Sequence, residues 1–112
     1  MDILILVAGL IVTGLFVVCT VVLTFDWLRK KIKKRLENKK IKKVAYGKVS
    51  KLVKECSNEI SLDDLEKYDS YMVSVNDKDE VEDLELIKND GSDDQKINEM
   101  IKDGDGMVVI TA

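Results

Sequence analysis

The chain has 112 residues, 18 Lys or Arg against 21 Asp or Glu, a net charge of −3, two cysteines, and neither histidine nor proline. That length leaves room for one small domain at most. Without histidine, a metal-ligand cluster, a Gly-rich phosphate loop or a GxSxG turn, the sequence argues against an enzyme and offers no catalytic, metal or cofactor residues.

Residues 3–25, ILILVAGLIVTGLFVVCTVVLTF, contain no charge. A helix of this length reaches roughly 34 Å, enough to cross a hydrocarbon core of about 30 Å. A transmembrane helix is therefore predicted over 3–25, with residues 1–2 as an outer tail. A cleaved signal peptide fits poorly, because Met1 and Asp2 make an acidic rather than basic start and the apolar run is too long. At 100° per residue, Gly9, Thr13, Thr20 and Thr24 fall within about 60° of one another, with Phe16 on the same side. Such a stripe predicts helix association within a membrane.

Residues 29–54 hold thirteen Lys or Arg and one acid, Glu37. Positive flanks remain on the cytoplasmic side, so the expected topology is single-pass in the cell membrane, N-terminus outside, with the remainder cytoplasmic. Trp27 fits an interfacial aromatic. Together with Arg29, Lys30, Lys31, Lys33, Lys34 and Arg35 it forms the predicted contact with an anionic lipid leaflet. Leu28, Ile32 and Leu36 recur at helical spacing. A second stripe, Ile41, Ala45, Val49, Leu52, Val53, Cys56 and Ile60, is rotated by more than about 100° from the first. The segment 26–60 is thus expected to be a basic juxtamembrane helical region with a bend near 37–40. Gly47, within its second half, is expected to cost that helix about 1 kcal/mol relative to Ala.

The lobe 61–112 reads as a small acidic α/β module of two strands and two or three helices. Residues 55–112 carry five Lys against eighteen acids. Ser61 and Asp64 suit a capping box that opens a short helix. Residues 71–75 and 107–111 read as strands. Residues 79–88, DEVEDLELIK, fit either period, and their acidity favours helix. Asn89 to Gly91 make a turn, and Ser92 with Gln95 suits a second capping box before a helix that ends at Gly104. Neither Gly91 nor Gly106 gives an EF-hand register.

Asp77, Asp79, Glu80, Glu82, Asp83 and Glu85 form the densest acidic cluster and the predicted partner-binding face. The expected function is a non-enzymatic, single-pass membrane-anchored adaptor that docks a partner protein through this module and self-associates through its span. The alternative is a small channel-forming or permeabilising protein of the viroporin or holin layout. The acidic lobe would repel phosphates, which disfavours nucleic acid as a partner.

Overall fold

The computed structural model describes residues 3–55, 65 and 67–111. The charge-free run does not form one helix. It divides into α1 (Ile3–Thr13) and β1 (Val17–Val21). The break has a local cause. Gly14 takes a left-handed backbone (φ +75°), and Leu15 N–H reaches back to the Leu10 carbonyl at 2.9 Å, closing the helix with a Schellman-type turn. The residues that follow, Val17, Val18, Thr20 and Val21, are β-branched and favour a strand. Eleven helical residues span about 16 Å, half of a hydrocarbon core. Among the described residues no helix is long and apolar enough to cross a membrane. The predicted transmembrane helix, and the single-pass topology and localisation built on it, are corrected accordingly.

The chain then forms α2 (Phe25–Leu36), β2 (Ile41–Lys48), α3 (Val49–Glu55), β3 (Ser70–Asn76), β4 (Val81–Asn89), α4 (Gln95–Asp103) and β5 (Met107–Thr111). The five strands lie in the order β1-β4-β3-β2-β5. β1 runs parallel to β4, with Val17 beside Glu85, and the other neighbours are antiparallel. The expected bipartite layout, a long helix followed by a separate two-strand module, is replaced by one α/β domain with a mixed five-stranded sheet. Its radius of gyration is 13.1 Å, the value of a folded domain of about 100 residues.

Strand alternation divides the core. One face carries Ala45, Tyr71, Val73, Leu84 and Leu86 under α1 and α3. The other carries Val44, Tyr46, Met72 and Ile87 under α2 and α4. Leu28 and Ile32 point from α2 into this second layer at 1% and 6% exposure, each contributing about 1.5–3 kcal/mol by burial.

Two further expectations change for the same reason. Residues 41–48 were read as helix, but Val44 and Tyr46 face one layer and Ala45 the other, so the period is two. Acid-rich 81–89 is likewise a strand: Leu84 and Leu86 enter one layer while Glu85 and Ile87 turn to the other. The helix expected from Ser61 lies outside the described residues, as do Cys56 and Ile60.

Gly47 tests this reassignment. In β2 a Cβ there would lie 2.5 Å from the Tyr71 hydroxyl and 3.0 Å from the Gly106 carbonyl. Gly47→Ala is expected to destabilise by about 2 kcal/mol, lowering the thermal midpoint by roughly 10 °C. A helical Gly47 would instead gain about 1 kcal/mol from the change. Gly9→Ala, in α1 with open space around it, is expected to gain that amount. Urea unfolding of both variants checks the pair of signs.

Candidate functional site

Three surfaces of the fold have features beyond packing. The first is a charged cleft of about 320 Å³ between α2 and the sheet, lined by Lys31, Lys34, Arg35, Asn38, Asp83 and Glu85 with Ile41. Thr24 caps α2 by accepting from Trp27 N–H at 3.1 Å. The helix that follows directs Lys31 and Arg35, one turn apart, at β4. Arg35 Nη1 donates to Ser74 Oγ at 2.7 Å and pairs with Asp83, while Nη2 donates to Glu85 Oε1 at 2.6 Å. Lys31 Nζ stands 3.4 Å from Glu85 Oε2.

Glu85 is buried, and burial by itself pushes its carboxyl up. The hydrogen bond from Arg35 and the charges of Lys31 and Arg35 together outweigh that and hold it below its usual range. The Cys19 thiol beside it is pushed up by burial, then by its hydrogen bond to Glu85 and that residue's charge. An ionised, doubly paired carboxylate is a poor general base, and a thiol so shifted is a poor nucleophile. The cleft fastens α2 to the sheet.

The second surface is an apolar groove of about 270 Å³ between α2 and the α4–β5 side. Leu28, Ile32, Leu36, Phe25, Met100 and Ile110 line it, and Arg29 and Lys33 stand at its rim. Asp94 holds the two helices together at one end: it caps α4 through Lys96 N–H and also accepts from Phe25 N–H at 3.0 Å. That bond to Phe25 is the main reason its carboxyl lies low.

The third surface is the N-terminal strip. Ile5, Val12, Leu15, Val17, Val18 and Val22 are each 51–65% exposed. Among the described residues β1 pairs with β4 alone, so its other side is a sheet edge.

The residues singled out from sequence are scattered over these surfaces. Gly9 and Thr13 lie exposed on α1, Phe16 packs against the α1–α3 layer, Thr20 is exposed on β1, and Thr24 caps α2. They share no helix face. Of the basic set, Lys31 and Arg35 turn inward, Arg29 and Lys33 rim the groove, Lys30 is exposed, Lys34 lines the cleft, and Trp27 packs in the α2–α4 layer with Lys31 over its ring at 5.7 Å. The acidic set divides at β4. Asp83 and Glu85 serve Arg35. Asp77, Asp79 and Glu80 are exposed at the β3–β4 turn, where Asp79 pairs with Lys43, and Glu82 accepts from Asn76.

Ser74, Cys19, Asn89 and Asp94 were not singled out as site residues. Asn89 Oδ1 receives Leu23 N–H and Gly91 N–H, linking the exit of β1 to the turn after β4. Asn89, in the turn Asn89 to Gly91, and Asp94, an N-cap residue type directly before α4, carried local signals; the cap of α4 is Asp94 and not the expected Ser92. No protein-family model matches the chain, and no curated protein or solved structure is significantly similar to it.

Arg35→Leu leaves the Glu85 carboxylate, 5% exposed, with the Lys31 ammonium and the Cys19 thiol, and is expected to cost about 3–5 kcal/mol. Glu85 has a folded-state pKa below its unfolded one. Its contribution is therefore present above about pH 4.3 and lost as pH falls through the lower, folded value. Glu85→Gln is expected to flatten the acid side of the stability profile. Urea titrations between pH 3 and 7 check both.

Proposed function

We propose that this chain is a non-enzymatic assembly module that docks a second copy of itself through α1 and the edge strand β1. One observation carries the reading. Six of the seven exposed large hydrophobic side chains among the described residues lie between Ile5 and Val22. Exposed apolar side chains so concentrated on α1, β1 and their connections point to an interaction surface.

The edge itself supports strand addition. Protected edges carry lysine, proline or a bulge. β1 has none of these, and no charge falls anywhere in residues 3–25. Antiparallel pairing of β1 with its copy would satisfy backbone groups on both chains and make a ten-stranded sheet across a twofold axis. A second copy is favoured as the partner because an isologous contact sets α1 and β1, which hold no charged residue, against their own copies. Docking remains the proposed role, as in the sequence reading, but its surface moves from the acidic cluster to the N-terminal strip.

Sedimentation equilibrium is expected to give a dimer at about 0.1 mM chain and dissociation on dilution. Val18→Lys with Thr20→Lys places like charges at the edge and is expected to give a monomer whose thermal midpoint matches that of the wild-type chain diluted to its monomer, since both positions are exposed. A wild-type chain that stays monomeric at that concentration would falsify the proposal. So would binding to neutral phosphatidylcholine vesicles that replaces the dimer, because the strip would then meet lipid.

A further inference from the structure

The groove between α2 and α4 lies on the β5 side of the sheet, with three strands between β5 and β1, and has a different chemistry from the N-terminal strip. Its floor exposes apolar surface alone, from Phe25, Leu28, Ile32 and Leu36 on α2, Met100 on α4 and Ile110 on β5. Phe25 to Leu36 extends about 16 Å along the helix axis. The volume of about 270 Å³ takes roughly eight to ten methylene-sized groups, counting each as about the 30 Å³ of a water molecule.

The rim is not neutral. Arg29 and Lys33, one helical turn apart, both border the groove. Arg29 has one weak neighbour, Asp26, at 3.5 Å with both side chains largely exposed, a contact of little energy. An apolar trough bordered by an arginine and a lysine, whose exposed side chains line it through their aliphatic stems, complements a ligand with an aliphatic chain and an anionic head.

We propose that this groove binds a medium-chain fatty acid, the alkyl chain lying over Leu28, Ile32 and Met100 and the carboxylate meeting Arg29 and Lys33. Arginine suits the head group because its planar fork takes a carboxylate through two hydrogen bonds. The tail supplies affinity by burial, and the head fixes which end lies at the rim. The site is independent of the β1 edge, so each copy in a dimer carries one groove.

The test is calorimetric titration of the full chain with decanoate, held below its micelle concentration, beside decanol. Saturable binding of one decanoate per chain is expected, at least about tenfold tighter than decanol. Arg29→Glu with Lys33→Glu is expected to weaken decanoate by about tenfold or more and leave decanol unaffected, with an unchanged thermal midpoint because both side chains are exposed. Met100→Trp, which fills the trough while retaining the charges, is expected to abolish binding of both.

Equal affinity for decanol and decanoate would remove the role of Arg29 and Lys33. Uptake without saturation, or only above the micelle concentration, would mean detergency rather than a site. An acidic amphipathic peptide that displaces decanoate and binds more tightly would make the groove a protein-docking surface and overturn the fatty-acid reading.

Discussion

The left-handed turn at Gly14 governs the rest of the molecule. By closing α1 after Thr13, it releases the β-branched residues that follow into the sheet, where Val17 to Val21 run beside Glu85 to Asn89. β4 then has a neighbour on each side and can be buried on both faces through Leu84, Leu86 and Ile87. A continuous helix would have left β4 as an unprotected edge. One residue free of a Cβ makes the difference, since φ of +75° costs a β-branched or bulky side chain far more than glycine.

Burying β4 creates an electrostatic problem that α2 resolves. Glu85 enters the layer beneath α2 because it alternates with Leu84 and Leu86, and an ionised carboxylate there is costly unless paired. Arg35 and Lys31 answer it from the helix, with Ser74 and Asp83 completing the guanidinium's contacts. The arrangement fixes the register of α2 on the sheet, since a slip by one residue would carry Arg35 away from both carboxylates. It also uses two of the seven residues that a basic segment seemed to offer to an outside partner.

What remains at the surface is two apolar regions of unlike character. The strip on α1 and β1 has no charged residue of its own and suits a like surface. The groove beside α2 has cations on its rim and suits an anion with an aliphatic tail. The strip comes from the apolar first quarter of the chain, whereas the groove joins α2 to Met100 and Ile110 near its end. The acidic hairpin turn, by contrast, is engaged locally, through Lys43 and Asn76.

The sequence by itself determined the elements whose signal is local. Leu28, Ile32 and Leu36 set α2, the apolar runs at 71–75 and 107–111 set β3 and β5, and Ile97 with Ile101 set the buried side of α4. Each rests on a spacing or a turn residue within one element. Three things were decided by tertiary structure alone. Residues 3–25 are apolar throughout, so they carry no period, and length favoured a span until pairing with β4 supplied a place for a strand. The acids of 79–88 hid a period-two pattern because one of them, Glu85, is turned inward, which makes sense only once Arg35 stands opposite. The inward course of Lys31 and Arg35 depends on which helix face meets the sheet, a choice fixed by carboxylates about fifty residues away in the chain.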